Sequence, residues 1–357
     1  MLLNLRQALP LALGSSLLAQ SHLVVPAAYT STDAISYEWV AGASRDLRQQ
    51  TLVGASHLQS LVGHTLTALE LRRSHANEVF LGGVVNLTVT LSISPNQPLS
   101  CSQAFAANVG PVATQVFSGP ITLPTSPATT SATVPWSANN TLRIPFTIPF
   151  VYGGGTLCID VLGQPVAGQN ANWWMADAEF EDLYGNVVEI GTGCGAYGGA
   201  QHQWSHIAER TLVPGAAARF FAYGPPNSFG IVAFGQPNPS GVPLWAIGIP
   251  TPGCSLHLAT LDALELAMFE PQTHPSLAAS GGIAELRVRI PNNPAVFGLT
   301  WATQWLEWSQ LVSSNTLQWS IASAIPQLDM ALVEGHPSET TGELSVHLAQ
   351  VFRFEFQ

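Results

Sequence analysis

The chain has 357 residues, 46% of them apolar and only 9% charged, against about 25% charged in an average soluble protein. Eleven basic residues stand against 22 acidic ones for a net charge of −11, and all 11 are arginine. That balance excludes nucleic acid and anionic membrane surfaces as partners, because counterion release from phosphate needs cationic side chains, and the lack of lysine excludes Schiff-base and P-loop lysine chemistry.

At the start, Arg6 supplies a short positive region, Leu9 to Leu18 an apolar stretch broken by Pro10 and Gly14, and Ala19 a small residue before Gln20. Residues 1–20 therefore read as a secretory signal peptide, so the mature chain is expected outside the cytoplasm, secreted or at the cell surface. No later segment approaches the roughly 18 uninterrupted apolar residues of a membrane helix. Val85, Leu87, Val89, Leu91 and Ile93 alternate with polar residues, the period-2 pattern of a half-buried strand. Leu142, Ile144, Phe146, Ile148 and Phe150 alternate with Arg143, Pro145, Thr147 and Pro149. Proline cannot donate to a ladder, so this strand is expected at an edge. The glycines 153–155 turn the chain into a further strand over 156–161, and the Pro-, Thr- and Ser-rich stretch from Ser118 to Asn140 reads as an extended loop or weak strand pair. Ala284, Leu286, Val288 and Ile290 alternate with Glu285, Arg287 and Arg289. Near the end Leu344, Val346, Leu348, Phe352, Phe354 and Phe356 share one parity, which predicts a long closing strand broken at Gln350.

The ordered set Gly191-Thr192-Gly193-Cys194, Pro252-Gly253-Cys254-Ser255-Leu256, Ile290 to Pro294, Gly298-Leu299 with Gln304, and Ser314-Asn315 with Leu317 resembles a family of secreted modules from planctomycete-type bacteria. The upstream half, with 116–120 and 148–152, is similar to the jelly-roll-type modules that often precede it. The resemblance implies an immunoglobulin-like sandwich with Cys194 bonded to Cys254, in a family of unknown activity. Leu258 to Phe269 and Trp301-Trp305-Trp308 have helical composition or spacing, but propensity is a weak prior and the resemblance makes both strands. The expected fold is all-β, with two consecutive antiparallel sandwiches: a jelly-roll-like one over 21–190, an immunoglobulin-like one over 191–325, and a C-terminal loop and closing strand over 326–357.

Four cysteines allow three pairings, and none lies in a CxxC, so zinc-ribbon and thioredoxin readings fail. A bridge from Cys194 to Cys254 would close about 60 residues and contribute roughly 4 kcal/mol. Cys101 and Cys158 would then pair within the first module, the alternative being a buried free thiol at Cys158.

Four places could carry chemistry. Trp173 and Trp174, flanked by Asn170 and Asn172, offer an indole plate and amides of the kind that bind carbohydrate, with ordinary packing of both rings as the alternative. Asp177, Glu179 and Glu181 share a strand face with Asp182 adjacent, a set of hard oxygens for structural calcium or, equally, a solvated acidic face. His202, His206 and Glu209 would share a helical face and could hold zinc, although the pattern is not His-Glu-x-x-His. The group Trp301, Trp305, Trp308 and Trp319 reads mainly as core. No Gly-x-Ser-x-Gly elbow occurs. The leading expectation is a secreted, non-catalytic surface protein binding a polysaccharide or surface glycan. The alternatives are a structural or adhesive module meeting protein partners through sheet edges, and a secreted metal-assisted hydrolase.

Overall fold

The computed structural model describes residues 20–34, 36–129, 133–169, 174–181, 183–194, 203–204, 212–271 and 281–357. Within them every strand pair is antiparallel. The all-β sandwich class expected from composition and alternation holds.

In the first sandwich a six-stranded sheet runs in the order β22 (Glu343–Ser345), β21 (Met330–Gly335), β3 (Leu47–Val53), β8 (Leu157–Pro165), β5 (Gly83–Ile93), β6 (Thr114–Leu123). It faces a four-stranded sheet ordered β1 (Ser21–Val25), β24 (Phe352–Phe356), β4 (Thr65–Arg72), β7 (Thr141–Val151). Val85, Leu87, Val89 and Leu91 of β5 meet Leu69 and Leu71 of β4, Leu142 and Ile144 of β7, and Phe352 and Phe354 of β24 in one core. Burying such side chains contributes roughly 1.5–3 kcal/mol each. β7 lies at its sheet's edge, as Pro145 and Pro149 require. The stretch after Ser118 begins as strand, because β6 extends to Leu123.

A third sheet, β2 (Ser36–Trp39), β9 (Met175–Phe180), β23 (Leu348–Gln350), closes one end. The C-terminal residues that had no assigned sheet thus return to the first sandwich: β21 pairs with β3, β23 with β9, and β24 with both β1 and β4. The second sandwich is held between two parts of the first.

Its larger sheet runs β10 (Asn186–Ile190), β20 (Val312–Ser320), β19 (Thr300–Glu307), β13 (Phe229–Gly235), β16 (Ala263–Met268). The opposing sheet is β11 (Gln203–Trp204), β12 (Ala217–Gly224), β18 (Gly282–Arg289), β17 (Glu270–Pro271), and β14 (Pro237–Pro243) with β15 (Ser255–Leu258) forms a separate pair. The segments with helical composition are strands, since pairing and burial outweigh a propensity of tenths of a kcal/mol per residue. Trp305 and Trp319 are core, with Trp319 edge-on to Phe220 at 4.6 Å and its indole N–H donating to Thr303 Oγ1 at 2.7 Å.

Cys194 and Cys254 are disulfide-bonded, as the resemblance implies, across a sequence separation of 60. The pairing expected for Cys101 with Cys158 is corrected: both are free, buried thiols. They share the core on the outer side of the six-stranded sheet, where Leu52, Phe105, Val333 and Leu344 meet Val213, Ala216 and Ala217 of the second sandwich. Burial pushes each thiol up to about 12, which keeps it protonated and unreactive.

Candidate functional site

Several expected site residues lie outside the described residues: Asn170, Asn172 and Trp173 of the indole plate, Asp182, and His202, His206 and Glu209, together with residues 1–19 of the signal segment. Trp174 is described and is corrected from ligand plate to core. It is fully buried, its indole N–H donates to the Pro124 carbonyl at 3.0 Å, and its ring packs against Phe80 at 6.1 Å.

The calcium reading of Asp177, Glu179 and Glu181 is corrected as well, because each carboxylate serves a different donor. Asp177 is fully buried, pairs with Arg72 and accepts from the Ala34 N–H at 3.0 Å. Glu179 accepts from the Tyr29 hydroxyl. Glu181 accepts from the backbone N–H groups of Gln327 and Leu328, at 2.7 and 3.1 Å for Oε2. Among the described residues, Asp177, Glu179 and Glu181 form no common oxygen cage for a cation, which needs six or more such ligands.

Arg72 belongs to a ladder of charges on the outer face of the four-stranded sheet. It lies 3.4 Å from Asp33 and donates to the carbonyls of Thr32 and Val134 at 2.6 and 3.1 Å. The Trp136 ring lies near two guanidinium groups, Arg72 at 4.9 Å and Arg353 at 4.5 Å from its centroid. Arg353 donates to Glu70, and Arg143 reaches Glu355 at 2.9 Å and Glu70 at 3.7 Å. Burial pushes Asp177 up to about 6 against the opposing pull of Arg72. Among the described residues, His22, Glu70 and Glu355 are close enough to share an ion, but Arg143 and Arg353 already hold both carboxylates there.

A different arrangement occurs nearby, where β2 pairs with β9 and sets Glu38 opposite Ala176, the residue before Asp177. The hairpin of β21 and β22 places Glu334 directly opposite Glu343, and like charges so placed repel. Glu334 is also opposite Gln49 of β3, and β2 brings Glu38 into hydrogen-bonding contact with it. Burial, then the charge of Glu334, hold Glu38 well above the ordinary carboxylate range. Burial also raises Glu334, which Arg45 partly offsets from 3.0 Å. A proton shared between Glu38 and Glu334 follows from two carboxyl groups in contact that cannot both ionise cheaply.

These side chains line a cavity of about 490 Å³ with Trp39, Asp46, His336, Glu339, Ser345 and Arg287. Arg287 comes from β18, so the second sandwich supplies one wall. His336 lies 3.9 Å from Asp46, and Nδ1 shares a hydrogen with Ser338 Oγ at 2.7 Å. A second cavity of about 480 Å³, lined by Glu285, Ser338, Thr340 and Thr341, shares Arg287 and Glu339 with the first. The two cavities adjoin at these shared residues. Five carboxylates (Glu38, Asp46, Glu334, Glu339, Glu343) against two guanidinium groups make the first of them acidic. Anions are disfavoured there, while neutral hydroxylated or cationic groups find both donors and acceptors.

Sequence reasoning did not single out these residues. Glu38 and Glu334 lie almost 300 positions apart in the chain and belong to no local motif. The available signal was the hairpin, where Gly335 and Gly342 sit just inside Glu334 and Glu343 and imply that the two acids face each other.

Fold and site together define a class: an all-β, disulfide-containing double sandwich with an acidic groove where the second sandwich meets the first. No protein-family model, curated protein or solved structure matches the chain.

Proposed function

We propose that the chain is an exported, non-catalytic binding protein that holds a neutral or amino-sugar carbohydrate chain in the groove running past Glu334, Arg287 and Glu339. The observation that carries this reading is the continuity of two polar cavities through shared Arg287 and Glu339. A groove of that form suits a linear ligand better than a compact one. Its lining has the composition of sugar recognition, with one tryptophan for a ring's C–H face and carboxylates, guanidinium and hydroxyl groups for its hydroxyls. Export is supported by the N-terminal pattern and by the Cys194–Cys254 bond, since disulfides persist in oxidising compartments.

The test is isothermal titration calorimetry of the full chain against neutral β-linked and amino-sugar oligosaccharides, with acidic ones as controls. Binding is expected for the first two classes and not the third. Arg287→Ala and Glu343→Gln are each expected to weaken it by about 10-fold. Saccharide affinity that both variants leave intact, or no affinity for any class, defeats the proposal.

A further inference from the structure

Separate from the groove, the second sandwich carries a strand edge whose outward side chains are mostly apolar and exposed. Edge strands present unpaired N–H and C=O groups, and proteins guard them with proline, lysine, bulges or very short strands. β7 carries Pro145 and Pro149 and a register shift against β4, and β22 has only three residues. β16 is guarded only by one charge, Glu265, which lies opposite the core residue Val232 of β13. It is six residues long, contains no proline, pairs with β13 in unbroken register, and has no neighbour on its other side among the described residues.

Its side chains are as unusual as its backbone. Leu264, Leu266 and Met268 point to the face opposite the core, next to Ala233, Ile231 and Phe229 of β13. Together with Phe229, Ile247 and Trp308 they form an apolar surface in which each residue is between 47% and 71% exposed. An apolar cavity of about 170 Å³ opens in the same face beside Ile231, Leu264 and Leu306.

We infer that two copies of this chain pair through β16, antiparallel about a twofold axis at Leu266. The strand is self-complementary in that register. Leu264 meets Met268, Leu266 meets Leu266, and the one charged residue, Glu265, meets Ala267 and not its own copy. A twofold at Glu265 would oppose two carboxylates, and one at Ala267 would leave fewer residues paired. The register also preserves parity, so the apolar rows of both copies lie on one face of a continuous ten-stranded sheet.

The experiment is sedimentation velocity on the full chain from about 1 to about 100 μM, which brackets micromolar association, for wild type and Leu266→Lys. Leu266 is 71% exposed, so the substitution leaves the fold intact, which circular dichroism checks. The wild type is expected to be dimeric in that range and Leu266→Lys to dissociate about 100-fold more readily. Oxidation of Leu266→Cys is expected to give a covalent dimer, whereas Glu265→Cys, facing Ala267, gives much less. A monomeric wild type at the top concentration overturns the inference. So does a dimer that Leu266→Lys leaves intact, or equal cross-linking at both cysteines. None of these outcomes bears on carbohydrate affinity, which rests on residues elsewhere.

Discussion

The two charged regions of the first sandwich use the same residue types to opposite effect. On the outer face of the four-stranded sheet each carboxylate has a guanidinium partner: Asp177 and Asp33 at Arg72, Glu70 at Arg353, Glu355 at Arg143. At the groove, Glu38 and Glu334 are in hydrogen-bonding contact with each other, Glu343 lies opposite Glu334 across the hairpin, and Arg45 is 3.0 Å from Glu334. A closed ladder holds parts of the chain together, because desolvated charges are tolerated only when paired and hydrogen-bonded. The groove keeps a repulsion that packing does not require. Perturbed carboxylates in a cleft are a mark of function for that reason.

The contrast can be broken most sharply at Asp177. Asp177→Ala leaves Arg72 buried with only Asp33 at 3.4 Å, and urea denaturation is expected to show a loss of about 3–5 kcal/mol. A loss below about 1 kcal/mol would mean that Asp33 alone suffices and the ladder is not closed. Trp136→Ala removes the ring near two guanidinium groups and should cost about 2 kcal/mol by the same measurement. The groove should behave in the reverse sense. Because Glu38 and Glu334 titrate above their ordinary range, the native state keeps a proton that the unfolded chain releases. Their contribution is complete below the usual glutamate pKa and is lost as pH rises through the raised native values. Glu38→Gln is therefore expected to raise the melting temperature at pH 8 and to lose that advantage at pH 4. A variant less stable than wild type at pH 8 would show that the pair is a structural bond and not a strained one. The smallest expected effect is that of Arg287→Ala on stability, within about 0.5 kcal/mol, while its saccharide affinity falls.

Much of the fold was legible where one face of a strand is wet. β5 alternates in sequence because Val85, Leu87, Val89 and Leu91 face the core while Asn86 faces solvent. β3 and β21 left no such trace. Val53 and Met330 enter the core between the two sheets, while Leu52, Ala331 and Val333 enter the core shared with the second sandwich. A strand buried on both faces has no polar period to read. The candidate site was less legible still. Trp174 and Asp177 carried the right chemistry but are consumed by packing and pairing, and the groove's carboxylates come from chain segments far apart.

Composition and alternation alone determined the all-β class and the edge position of the proline-bearing strand, because these depend on local periodicity. The return of the last strands to the first sandwich, the meeting of Glu38 with Glu334, and the exposed apolar edge at β16 were decided only by the tertiary structure. Each depends on which distant backbone segments pair, and pairing is selected by the burial of whole faces and not by any residue's own preference.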